Sequence, residues 1–326
     1  MPNVWSLKGG ALALASMVAI VECSGRAGPQ QQRHAASQFA PSSSALHGGT
    51  VNGDLRLHEF TSHVFGNTRL LRVLVPDGYD DPVNRHRLYP VLYLNDGQSL
   101  FDSATSSSKV EWQVDETVRR LVREGRIPPI IVVGIDNGGA QRAAEYLPYP
   151  HWVDAKLAVE PRGKQYPDFL LGEVMPFIDS HYRTIHDPAY TALGGSSLGG
   201  LVSLYTVVAH PGRFGGVLIE SPTLYVDRLH VLRDAANVKF WPSRISLGVG
   251  TNEGNRGVCP DPALPNRMAD DVKSLAILLK THGVDSSRVR VVIDSCATHS
   301  VESWRRRFPD ALAFLFHRAP GTNKAL

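Results

Sequence analysis

The chain has 326 residues, 34 Lys+Arg against 31 Asp+Glu for a formal net charge of +3, and three cysteines. Hydrophobic residues at 43% and charged residues at 20% exclude a wholly disordered chain, and so small a net charge leaves no electrostatic footprint for nucleic acid. Three cysteines without CxxC or paired Cys/His spacings exclude a disulfide scaffold and suggest no metal site.

At the N-terminus, Lys8 precedes an uncharged apolar stretch, residues 9–21. It falls short of the roughly 20 residues of a transmembrane helix and suits the apolar region of an export signal. Residues 1–28 are therefore expected to direct the chain to the periplasm, the medium or a lipoprotein pathway; an apolar N-terminus on a cytoplasmic protein is the alternative. Cys23 is a possible lipid anchor, although Glu22 stands where a lipoprotein signal wants a small residue. Residues 29–53, rich in Ser, Ala, Gln and Gly, carry too little apolar surface to offset their ordering entropy and read as a flexible polar linker. The folded domain is expected over residues 54–318, with a polar tail at 319–326.

Within that domain, residues 54–63 and 67–76 alternate apolar and polar positions and predict an antiparallel strand pair turning near Gly66. Six later runs (89–95, 129–135, 189–195, 214–221, 244–250 and 288–294) are apolar on both faces, as strands of a parallel sheet covered by helices must be. Between and after them lie helical periodicities at 110–124, 166–182, 198–210, 267–282 and 301–316. This alternation predicts an α/β fold: a mostly parallel central sheet, an antiparallel N-terminal pair and helices on both faces. Ligands are then expected beyond the C-terminal ends of the strands.

The segment GGSSLGG (194–200) accepts G-x-S-x-G in one register only, which makes Ser197 the candidate nucleophile. A serine on a sharp strand-to-helix turn needs small neighbours, and the N–H of Leu198 would then face a developing oxyanion. In the α/β-hydrolase fold that this motif marks, the acid and then the histidine follow the serine. Among the later histidines only His299 lies just beyond the last predicted strand, where a base can reach the serine; His210 and His282 close helices. Glu253, just after the strand at 244–250, is the expected acid, with Glu220 and Asp261 as rivals. The loop NDGQS (95–99) follows the first parallel strand, so the N–H of Gln98 is the expected second oxyanion donor. Phe101, Trp112, Tyr146, Trp152, Tyr225 and Trp304 are candidates to line an aryl- or sugar-binding cleft, with packing in the core as the ordinary alternative.

Several blocks together, RVLVPDGYD (72–80), YPVLYLNDGQSLFD (89–102), IPPIIVVGIDN (127–137), RAAEYLPYP (142–150), GGSSLGGLVSLY and the closing HSVESWRRRFPDALAFLF, resemble the esterase family of α/β-hydrolases. It includes enterochelin and other siderophore esterases, feruloyl and acetyl-xylan esterases, S-formylglutathione hydrolase and the mycolyltransferases. The resemblance implies a serine esterase with Ser197, His299 and Glu253 as its triad, Glu standing where Asp is usual. It also supports the oxyanion donor at Gln98, beside Leu198, and implies a substrate contact at Arg142, with Trp112 a candidate contact among the aromatics. The chemistry needs no cofactor, and the expected partner is a small or polysaccharide-linked ester. Acyl transfer to an alcohol acceptor and a non-catalytic binding protein on the same scaffold are the alternative functions. Cys259 and Cys296 sit in the loops that carry Glu253 and His299; an exported chain could bridge them, and two free thiols are the other reading.

Overall fold

The computed structural model describes residues 49–153, 156–254, 257–259 and 266–317. The expected export segment, Cys23, the linker up to residue 48, Asp261 and the tail at 319–326 lie outside them. Strands β1 (Asp54–Ser62) and β2 (Asn67–Val75) form the predicted antiparallel pair, in register from Asp54↔Val75 to Ser62↔Asn67. The parallel strands are β3 (Val91–Asn95), β4 (Ile131–Ile135), β7 (Thr191–Ser196), β8 (Gly216–Glu220), β9 (Arg244–Asn252) and β10 (Val289–Thr298). They join the first pair in one eight-stranded sheet of order β1-β2-β4-β3-β7-β8-β9-β10. A separate hairpin, β5 (Trp152–Val153) with β6 (Lys156–Leu157), was not anticipated, because two-residue strands show no periodicity.

Alternation along the strands divides the core between the two faces of the sheet. Val73, Val91, Tyr93, Val133, Leu193, Val217 and Leu247 point to one face, where α2 (Arg142–Tyr146), α5 (Leu198–Ala209), α6 (His230–Ala235) and α7 (Arg267–Thr281) cover them. Leu74, Leu92, Leu94, Val132, Ala192 and Leu218 point to the other, beneath α1 (Val114–Arg123) and α8 (Val301–Leu315). Both faces are therefore dry, which is why these strands read as continuous apolar runs rather than alternating ones.

The stretch predicted as one helix over 166–182 is instead α3 (Tyr166–Phe169), a π-type turn at Leu170–Val174, and α4 (Met175–His181). Pro176 has no N–H to give to the carbonyl four residues earlier, so the turn before it widens. Short α2 and α6 escaped prediction because five or six residues do not complete a helical period pattern.

Residues 50–53, expected to belong to the linker, are packed. Asn52 N–H donates to Asp115 Oδ2 at 2.6 Å, and Thr50 Oγ1 accepts from Ser103 N–H at 3.2 Å. Asp115 lies fully buried in the first turn of α1; burial, then the hydrogen bond it shares with Glu116, pushes its carboxyl up to about 8. A carboxyl that keeps its proton when folded and loses it when unfolded gives full stability below the unfolded pKa, near 3.9, and progressively less as pH rises towards the folded value. Asp115→Asn keeps the acceptor for Asn52 and removes the titration. Its melting temperature should therefore change less between pH 5 and pH 8 than that of the unmodified protein, measured by circular dichroism.

Candidate active site

Four neighbouring parallel strands end in step. The residue that follows β7 is Ser197, that after β8 is Ser221, that after β9 is Glu253, and that after β10 is His299. The pairings Ser196↔Glu220 and Asn252↔Thr298 set Ser197 against Ser221 and Glu253 against His299.

Ser197 occupies the bend between β7 and α5 at φ 57° and ψ −125°, a conformation side-chain-bearing residues seldom adopt. Its N–H bonds to the Glu220 carbonyl at 2.9 Å, and its own carbonyl accepts from Thr223 N–H at 3.3 Å. A Cβ on Gly195 would stand 2.8 Å from the backbone carbon of Gly199, so the bend closes only with small residues there. Ser197 is partly exposed, and its hydroxyl lies 3.5 Å from Thr223 Oγ1.

Leu198 opens α5, so its N–H has no intrahelical partner and lies at the positive end of the helix dipole. The loop after β3 runs beside it: a Cβ on Gly199 would come within 3.0 Å of Asp96 Oδ2. Asn95, the last residue of β3, ties this loop to the elbow by donating to the carbonyls of Gly194 and Gly199, both at 3.3 Å, and to Ser203 Oγ at 3.0 Å. Gln98 stands in the short helical turn Gly97–Ser99 that follows, partly exposed like Ser197.

Arg142 sends a two-pronged guanidinium to Asp96, at 2.6 and 2.9 Å, and Asn137 Nδ2 donates to the same carboxylate at 2.7 Å. Its charge is thus spent on the loop that carries Gln98. Trp112 is 3% exposed and packs on Trp304 and Phe308, each at a ring separation of 5.8 Å. It is a core residue, as are Phe101 and Tyr146, and this corrects the expectation that these three line a cleft. Phe101 and Trp112 fill the layer beneath α1 and α8, whereas Tyr146 packs on the opposite face of the sheet. Trp152 is exposed, and Tyr225 and Trp304 are partly so.

Glu253 is buried while His299 stays partly exposed, with Nδ1 2.6 Å from Glu253 Oε2. Glu253 Oε1 accepts from Ser221 Oγ at 2.7 Å and from Gly250 N–H at 2.5 Å. Burial opposes ionisation of this carboxyl, but the bonds from His299, Ser221 and Gly250 outweigh it and hold it below its usual range. Of the rival acids, Glu220 is fully buried and paired with Arg307 at 2.8 Å, away from the imidazole. His210 and His282 sit at the C-caps of α5 and α7, as read from the sequence.

Ser221 was missed. It closes the apolar run at 214–221, and its only sequence signal is a hydroxyl one residue past a parallel strand, as at Ser197. Among the described residues no group of three or more His, Cys, Asp or Glu side chains could hold a metal ion.

The register of β10 on β9 shifts between Asp294 and Thr298, and Cys296 in that irregularity has φ 61° and donates its N–H to Thr251 Oγ1 at 2.8 Å. Cys296 is disulfide-bonded to Cys259, Cα to Cα 5.0 Å, across 37 residues of sequence. The bridge joins the chain after Glu253 to the strand that ends at His299. Closing a loop of this length stabilises a fold by about 4 kcal/mol in the chain-entropy account. Both cysteines are exposed, so a mild reductant should reach them. Reduction, or Cys259→Ser with Cys296→Ser, is expected to lower the melting temperature and kcat together; an unchanged melting temperature would contradict the role of the bridge.

A family profile described as "Putative esterase" matches residues 62–315. An uncharacterised Bacillus subtilis protein, YbbA, is 22% identical over 264 residues, covering 80% of this chain and 98% of its own. The iron(III) salmochelin esterase of Escherichia coli O6:H1 is 27% identical over 234 residues, 66% of this chain and 50% of its own. The solved structure of siderophore hydrolase EstA from Aspergillus nidulans superposes with a TM-score of 0.65 at 18% identity, covering 85% of this chain and 98% of its own.

Proposed function

Because the chain belongs to the putative esterase family and is thereby a serine-type carboxylic-ester hydrolase, we propose that Ser197 is its nucleophile, His299 its general base and Glu253 the acid that orients the imidazole. The observation that carries this reading is the 2.6 Å contact between His299 Nδ1 and the buried, ionised Glu253, two strands along the sheet from a serine held at φ 57°. With Nδ1–H given to the carboxylate, Nε2 is left as the base.

In the first half-reaction Nε2 takes the Ser197 proton while Oγ attacks the ester carbonyl carbon. The resulting oxyanion accepts from the N–H groups of Leu198 and Gln98, each worth roughly 3 kcal/mol of barrier. His299 then protonates the departing alcohol as the tetrahedral intermediate collapses to an acyl-enzyme. Water then gives a proton to Nε2 as its oxygen bonds to the acyl carbon, and the second tetrahedral intermediate breaks its bond to Oγ, which takes the proton back from Nε2 as the acid product leaves. Arg142 supports this cycle from behind, since its bidentate pair with Asp96 steadies the loop carrying Gln98.

The substrate proposed is a small or medium ester of the siderophore, feruloyl or acetyl-sugar type. The salmochelin esterase among the relatives favours the first. Export is part of the same proposal: a disulfide between exposed cysteines suits an oxidising compartment, in keeping with the apolar stretch at residues 9–21. Among the described residues no helix is long and apolar enough to cross a membrane; Cys23 is the proposed lipid-attachment point.

Ser197→Ala should abolish both hydrolysis of p-nitrophenyl acetate and labelling by a fluorophosphonate probe; retained turnover would refute the nucleophile. Glu253→Gln should leave KM nearly unchanged and lower kcat by about 10²–10⁴, the range seen when a triad acid is neutralised or a general base is lost. Kinetics on acetyl, feruloyl and catecholate-lactone esters would rank the substrate classes.

A further inference from the structure

The hydroxyl of Ser221 takes no part in the mechanism above, yet it is the most heavily bonded side-chain oxygen beside the site. Ser221 is fully buried and held at φ 41°, a conformation that favours glycine. Trp304 Nε1 reaches its Oγ at 3.0 Å, Arg307 Nη2 at 3.2 Å and Glu253 Oε1 at 2.7 Å.

A serine hydroxyl has two lone pairs and one hydrogen. The indole and the guanidinium can only donate, so they occupy the lone pairs, and the hydrogen is left with one destination, Glu253 Oε1. That oxygen also takes Gly250 N–H, so Oε2 alone remains for His299. The donors are anchored in turn. Arg307 pairs with Glu220 at 2.8 Å and Asp294 at 3.3 Å, joining β8, β10 and α8, while the Trp304 ring meets the His299 ring edge to face at 5.2 Å.

We infer that Ser221 is a positioning residue: its hydroxyl, polarised by Trp304 and Arg307, fixes which oxygen of Glu253 faces His299 and so holds the imidazole with Nδ1 protonated and Nε2 free. The inference rests on the assignment of Ser197, His299 and Glu253 given above. It accounts for a non-glycine residue at a backbone position that glycine fits better, since only a hydroxyl there completes the three contacts.

Ser221→Gly removes the hydroxyl and relieves the backbone. A hydrogen bond to a charged group contributes about 1.5–3 kcal/mol, which corresponds to a fall in kcat of roughly 10- to 100-fold, with KM for p-nitrophenyl acetate little changed. With one donor fewer, Glu253 becomes the stronger acceptor for a protonated imidazole, so the acid limb of the kcat/KM profile should move to higher pH. The deciding measurement is a double-mutant cycle with Glu253→Gln. If Ser221 acts through Glu253, Ser221→Gly should cost little in the Glu253→Gln background; an equal loss in both backgrounds would mean a packing role and overturn the inference. Unchanged kcat and pH profile in Ser221→Gly would also overturn it. Should the glycine variant not fold by circular dichroism, Ser221→Ala runs the same cycle. Activity retained in Ser197→Ala would instead remove the reading beneath it, so the two failures are separable.

Discussion

A carboxylate as buried as Glu253 needs its charge answered from within the protein, and the arrangement around the site follows from that demand. Three donors meet it: His299, Ser221 and the Gly250 N–H. They come from the ends of β10, β8 and β9, so the requirement is satisfied only when these strands are in register and end together. Unanswered, burial would favour a neutral carboxyl that holds the imidazole far less firmly. The hydrogen bond between Glu253 and His299 is thus also a check on sheet assembly.

The supports behind it have the same character. Arg307 links three elements through Glu220, Asp294 and Ser221, all from the buried side of α8. On the opposite flank, Arg142 and Asn137 hold Asp96, while Asn95 holds the elbow carbonyls. Each flank uses an arginine whose rigid fork binds a carboxylate, so loop geometry is set by directional bonds rather than by apolar packing, which is non-directional. The disulfide adds a covalent tie on the solvent side, between the segments that carry Glu253 and His299.

Much of the fold was legible because burial on both faces leaves a plain mark. The runs at 89–95, 129–135, 189–195, 214–221 and 244–250 coincide with β3, β4, β7, β8 and β9 to within a few residues. The edge strand β10 ran on to Thr298, beyond the predicted 294, because its outer residues are exposed and its register shifts there. Elements shorter than a period, α2, α6 and the β5–β6 hairpin, left no mark. Pro176, visible in the sequence, was enough to widen a helix that apolar spacing alone suggested was continuous.

For the candidate site, the sequence by itself marked Ser197, Glu253 and Gln98 as residues following buried apolar runs, and placed His299 in the loop before the last helix although the end of β10 was read four residues short. It also marked Cys259 and Cys296 as neighbours of Glu253 and His299 in sequence. Tertiary structure alone decided that those cysteines are joined, that Trp112 belongs to the core, that Arg142 serves Asp96, and that Ser221 links Glu253 to Trp304 and Arg307. The reason is physical. Position along a strand is a local property of a few residues, whereas the partner of a buried polar atom depends on which strands lie side by side. The partners of Ser221 lie 32, 83 and 86 residues further along the chain.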